Sequence, residues 1–203
     1  MKSERQGSGM QRAFNFLTLQ HLKFSVLAGA LLLLSACVGL REETCTDFEN
    51  NRKQLDYTTQ YDLSEQESEA AAKNFKRLPR DAAVVVRLYK INIDPGKTQP
   101  CHHLTIHKEI YLQRKAKSKI ELEEVREFYT AKGVLIATKT ESVGDQLQTT
   151  GYYFGDTLLP VPQNAPAGRY RVVSKLVLKT ADKSKNILLS RTSASFQVFP
   201  RSK

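Results

Sequence analysis

The chain has 203 residues, with 31 lysines and arginines against 21 aspartates and glutamates, a formal net charge of +10, three cysteines and no tryptophan. That length suits one domain with a real core plus a leader segment rather than two domains, and no internal repeat or low-complexity tract interrupts it. The positive balance favours contact with anionic surfaces. No phosphate-cradling glycine loop, G-x-S-x-G elbow or H-E-x-x-H helix is present, which removes the sequence basis for the commonest nucleotide-binding, acyl-transfer and zinc-hydrolase classes.

At the amino terminus, Phe24 to Leu34 is an apolar run preceded by Arg12 and Lys23 and followed at once by Ser35, Ala36 and Cys37. This is the charged, apolar, small-residue order of a secretory signal. A spanning helix needs roughly 20 predominantly apolar residues, and even Phe24 to Leu40, interrupted by Ser35 and Gly39, falls short of that; an uncleaved anchor is the alternative. Leu34-Ser35-Ala36-Cys37 resembles the lipobox of bacterial lipoproteins. The resemblance implies that residues 1–36 are a signal peptide, with Met10 an equally good start, and that Cys37 carries diacylglycerol on its thiol and an acyl group on its new amino terminus. Two or three acyl chains make an anchor that hardly dissociates, since each buried methylene adds about 0.8 kcal/mol. Val38 in place of aspartate after the cysteine implies, by the same resemblance, the outer membrane of a Gram-negative cell, with the domain facing the periplasm. The partners expected there are the membrane itself, an envelope protein or an anionic envelope polymer, and not nucleic acid. No cofactor is expected beyond the covalent lipid. The basic groups Arg114-Lys115-Lys117-Lys119 and Lys179-Lys183-Lys185 lie between apolar-patterned segments, where lysine also blocks edge-to-edge aggregation.

Residues 37–81 read as a lipid-anchored leader. In an oxidising compartment the remaining pair, Cys45 and Cys101, is expected to form a disulfide. It would close a loop of more than fifty residues, contribute about 3 to 4 kcal/mol and staple the leader to the body. Cys45 to Tyr61 reads as an extended spacer, although Phe48, Tyr57 and Tyr61 suggest that part of it packs down. Ser64-Glu65-Gln66-Glu67 matches a capping box, and Ala71, Phe75 and Leu78 share a helical face before Pro79, which predicts a short helix over 65–77.

From Ala82 the pattern changes to short β-branched and aromatic runs punctuated by turn residues. Strands are predicted over 82–93, 104–113, 119–130, 134–143, 151–159, 169–179 and 187–199. A helix over 118–133 competes with the third of these, since Ser118 could cap it and Leu122, Val125 and Tyr129 share a helical face. The continuation into Gly133 and a further apolar run favours a hairpin, with any change of phase near Glu123-Glu124 being a bulge. The fold class predicted is mainly β, a seven-stranded immunoglobulin-like sandwich over 82–203 behind a short helix and a flexible lipid-tethered leader. The stretch "VPQNAPAGRYRVVSKLVL" is similar to the corner before strand F of immunoglobulin-like and fibronectin-like domains. The resemblance implies that the Tyr170 phenol hydrogen-bonds back to the corner backbone. The buried tryptophan and inter-sheet disulfide of antibody domains are missing, so the likeness is to a generic bacterial sandwich, a fold that hosts many functions.

The most localised chemistry is "CHHLTIH", Cys101 to His107. On a strand His103 and His107 share a face about 13 Å apart, too far for one metal unless the strand bends. A metal site of Cys101, His102, His103 and His107 therefore stands as the alternative to a disulfide with solvated histidines. Tyr152, Tyr153 and Phe154, flanked by Gly151 and Gly155, offer either a stacking platform or core, and alternation places at least Tyr153 apart from its neighbours. Glu121, Glu123, Glu124 and Glu127 read as a solvated strand face with no catalytic role. The function expected is that of a non-enzymatic outer-membrane lipoprotein, an envelope adaptor or assembly and binding module. The alternatives are a periplasmic metal or ligand carrier using Cys101 to His107, and a surface inhibitor or adhesin.

Overall fold

The computed structural model describes residues 44–116, 118–180 and 185–201. The expected signal peptide, the lipidation residue Cys37 and the basic residues Lys117 and Lys183 lie outside them. From Thr44 onward the leader is ordered. Thr44 and Asp47 form a capping box that starts α1 (Cys45–Asn51), which satisfies two of the amide donors that a helix start leaves unpaired. Phe48 on that helix is buried against the His103 ring, with centroids 4.7 Å apart. The extended spacer predicted over this stretch is thus partly a helix.

The chain then forms β1 (Gln60–Ser64) and, capped by the Ser64 side chain, α2 (Glu65–Asn74). The helix stops three residues earlier than predicted. Phe75 leaves it in extended conformation, its N–H held by the Ala71 carbonyl, and stacks on Tyr111. The remaining strands are β2 (Val84–Asp94), β3 (Lys97–Thr98), β4 (His102–Arg114), β5 (Glu121–Thr130), β6 (Leu135–Ser142), β7 (Gly151–Val161), β8 (Gly168–Lys179) and β9 (Ile187–Val198). Nine strands are described where seven were predicted, the additions being β1 and β3. The segment for which a helix competed is β5, and the irregularity in its pairing with β6 falls between Phe128 and Tyr129 rather than near Glu123-Glu124.

Two sheets result, ordered β1-β7-β4-β2 and β3-β9-β8-β5-β6. All neighbours are antiparallel except β3 and β9, which run parallel. β1 pairs with β7 over Gln60–Ser64, so the expected boundary at Ala82 does not separate leader from sandwich: the leader contributes an edge strand. Space for it comes from glycine, since a Cβ on Gly155 would sit 2.6 Å from the ring of its cross-strand partner Tyr61.

Strand alternation aims Leu104, Ile106, Ile110 and Leu112 of β4 between the sheets, facing Leu122 of β5 and Val172 and Leu176 of β8, all buried. The apolar interior divides into two clusters. One surrounds Leu112, Leu122, Leu147, Tyr153 and Leu176, and the other surrounds Ile106, Val161, Tyr170, Val172 and Phe196. At the entry to β8 the Tyr170 hydroxyl donates to the Pro166 carbonyl at 2.6 Å, closing the corner.

Candidate functional site: a buried charge belt and the groove beside it

What divides the two clusters is a layer of charge. Lys108 takes the inward place between Ile106 and Ile110 on β4, Glu124 and Arg126 take the two between Leu122 and Phe128 on β5, and Ser174 takes the one between Val172 and Leu176 on β8. Glu141 of β6 joins them as the cross-strand partner of Glu124. This corrects the solvated glutamate face predicted for β5, because Glu124 has no exposure at all. Lys108 Nζ lies 2.6 Å from Glu124 Oε2 and 3.9 Å from Glu141 Oε1, and Arg126 pairs with Glu141. Two cations thus meet two carboxylates and the layer is neutral, the condition under which burying ions is tolerable.

Hydroxyls complete the shell. Tyr89 and Ser174 donate to Glu124 Oε1 at 2.7 and 2.6 Å, and Tyr61 donates to Glu124 Oε2 at 3.1 Å. Thr59 donates through its backbone N–H to Glu141 Oε2 at 3.0 Å and through its hydroxyl to Oε1 at 2.9 Å. Burial alone would raise the Glu124 pKa, but Lys108 and Arg126 outweigh it and hold the carboxyl below its usual range. Burial dominates at Lys108, bringing its ammonium down to about 8 although Glu124 pulls the other way. Both tyrosines are pushed up, first by burial and then by the Glu124 charge. Lys108 and Glu124 at its centre are closed off from solvent, so they reach their partners in the layer and no substrate. Its work is to tie β4 to β5, β6 and β8 and to hold the leader through Thr59 and Tyr61.

Arg126 also forms part of the lining of an open groove of about 620 Å³ between the β6 edge and the last residues of β7. Phe128, Ala137, Leu159, Val161, Tyr170 and Phe196 supply most of its wall, with Ile136 and Leu158 exposed around it. The groove exists because β1 covers β7 only from Tyr152 to Asp156, leaving Thr157 to Val161 without a strand on that side. Among the residues that line it the charged ones are Arg126 and Lys139, and none is acidic. The Lys139 ammonium stands 4.0 Å from Asp56, and Arg126 Nε has no hydrogen-bond partner. The volume falls within the range of small-ligand sites, about 300 to 1,000 Å³.

The residues singled out around Cys101 disperse. Cys45 and Cys101 form the disulfide, with Cα atoms 5.3 Å apart, and it fastens α1 to the start of β4. His102 Nδ1 contacts the Pro100 carbonyl at 3.0 Å, and His103 packs against Phe48 and Tyr57. His107 pairs with Asp156 at 2.8 Å on the exposed outer face. No group of three or more histidine, cysteine or acidic side chains suited to a metal ion occurs among the described residues. Tyr153 is core, while Tyr152 and Phe154 lie on the outer face, where Tyr152 donates to Glu109 at 2.6 Å. Among the described residues no helix is long and apolar enough to cross a membrane.

The sequence did hold a signal for the charge belt. Lys108 and Glu124 each interrupt an apolar row in the inward phase of a strand, with opposite signs. The groove had none, because its walls come from strands far apart in the chain.

No protein-family model matches the chain, and no curated protein matches it. Among solved structures it is similar to the C-terminal domain of wzt, at 12% identity over 61% of this chain and 77% of that one, with a TM-score of 0.43. It is also similar to a CARDB domain from Pyrococcus furiosus in complex with di-metal ions, at 13% identity over 57% and 91%, TM-score 0.33. A third likeness is to a family 123 glycoside hydrolase from Clostridium perfringens, at 14% identity over 71% and 27%, TM-score 0.36. At these scores the likenesses bear on no activity, ligand or partner of this chain.

Proposed function

We propose that this protein is a non-enzymatic lipoprotein of the outer membrane, anchored through Cys37 and facing the periplasm, whose domain is an immunoglobulin-like envelope binding module acting as an adaptor or assembly factor. The observation that carries the binding role is the open apolar groove beside β6 and β7, a concave surface whose exposed rim includes Ile136 and Leu158. The immunoglobulin-like assignment is supported by the pairings: β2, β4 and β7 stand as strands A, B and E, and β5, β8 and β9 as C, F and G. On that correspondence β1 takes the position of strand D, supplied by the leader instead of by the chain between C and E. The short distance in sequence from Cys37 to the capped start of α1 at Thr44 supports a domain held close to the bilayer.

The test is a photo-crosslinking residue placed at Ile136 in intact cells, with one at Lys90, on the β2 edge of the other sheet, as control. A discrete adduct from Ile136 and none from Lys90 is expected, and mass spectrometry identifies the captured component. No adduct from Ile136 at native abundance would overturn the binding role, and a soluble unlipidated product would overturn the anchor.

A further inference from the structure

We infer that the groove takes the hydrocarbon chain of a single-chain anionic amphiphile, a long-chain fatty acid, with its carboxylate at Lys139. This names a ligand for the site proposed above and rests on that proposal. Three features of the groove select this ligand over a protein segment or a second copy of the chain.

The first is shape and chemistry together. The wall from Phe128 through Leu159 and Val161 to Phe196 is apolar, and hydrocarbon needs no hydrogen-bond partner along its length. The second is the strand edge. A peptide strand added to β7 would pair between Thr157 and Val161, but Pro160 offers no N–H there and Pro162 follows directly. Proline at an edge blocks strand addition, which disfavours an extended peptide or a second copy adding to the β7 side of the groove.

The third is charge. Lys139 and Arg126 line the groove and no carboxylate does. Arg126 is already paired with Glu141 and almost fully buried. Lys139 is about one-third exposed, and its Asp56 contact is at the limit of an ion pair with an exposed partner, an arrangement that holds the ammonium weakly. One available cation beside one groove suits one chain with one anionic head.

The experiment uses the full chain with Cys37→Ser, so that no covalent acyl chain competes, and Ile136→Trp, which becomes the sole tryptophan because the sequence has none. Titration with a brominated octadecanoic acid below its aggregation limit is expected to quench that tryptophan saturably at one equivalent, with competition by unlabelled palmitate. Across shorter saturated acids the affinity is expected to rise by up to about fourfold per added methylene and then level off once the groove is full. Lys139→Glu is expected to weaken palmitate at least tenfold and leave hexadecanol unchanged. Ala137→Trp, made without the Ile136 reporter and read by competition with a fluorescent fatty acid, fills the groove from an exposed position and is expected to abolish binding without unfolding the domain.

Absence of saturable quenching would overturn the proposal, as would a Lys139→Glu variant that binds palmitate like the parent. Quenching by vesicles of brominated diacyl phospholipid but not by the free acid would overturn the single-chain assignment. A protein adduct from position 136 with no fatty-acid binding would sink this inference alone, whereas loss of both results would remove the binding role with it.

Discussion

The two ends of the sandwich close in different ways. At one end β1 lies beside β7, α2 and Phe75 cover the outer face, and the cluster around Leu122, Leu147 and Tyr153 is sealed. At the other end β7 runs on past Asp156 with no strand on the side away from β4, and the cluster around Val161, Tyr170 and Phe196 borders the open groove. The strands and their apolar faces are equivalent in kind at both ends. What differs is a five-residue strand from the leader, so the segment expected to be a lipid-tethered leader decides which end of the sandwich is covered and which borders the groove.

The charge belt marks the boundary between the halves, and breaking it is expected to have the largest effect. Lys108→Met leaves the Glu124 and Glu141 carboxylates buried against Arg126 alone and is expected to cost about 3 to 5 kcal/mol in denaturant unfolding. Adding Glu124→Leu restores neutrality, with Arg126 and Glu141 still paired, and is expected to recover most of that loss. A double variant no more stable than the single one would show that packing, not charge balance, holds the boundary.

Next in size is the staple. Replacing Cys45 and Cys101 together by serine is expected to cost about 3 to 4 kcal/mol. Hydrogen exchange would sharpen the comparison: α1 should lose protection while β5 and β8 keep theirs, and uniform loss across both sheets would show that the leader and sandwich unfold as one. The smallest effect belongs to the groove end. Tyr170→Phe removes the bond to the Pro166 carbonyl and is expected to cost about 0.5 to 1.5 kcal/mol, with the change in amide shifts confined to the corner and groove. A change reaching Tyr153 and Leu147 would mean that the belt does not insulate the two clusters.

Much of the architecture was legible locally. Seven strands, the Ser64 cap, the pairing of Cys45 with Cys101 and the Tyr170 corner each rest on residues whose meaning is set by close neighbours or by compartment: alternation, a capping serine, an even cysteine pair, a proline-glycine approach to tyrosine. The failures share a cause as well. β1 and β3 are too short to show alternation, and they are strands only because β7 and β9 offer edges to pair with. Glu124 looked solvated because its neighbours in sequence, Glu123 and Val125, face the other side of the sheet, while the groups that make its burial tolerable come from Lys108, Tyr61, Tyr89 and Ser174.

By itself, then, the sequence determined the β-rich body, the helix start, the disulfide partners and the lipobox-like amino terminus on which the proposed anchor rests. Only the tertiary structure decided that the leader is a strand of the sandwich, that four charges share its interior, and that a groove borders one half of its core. Backbone periodicity reports which face a residue occupies. Whether that face is buried, paired or left bare depends on what distant segments place against it.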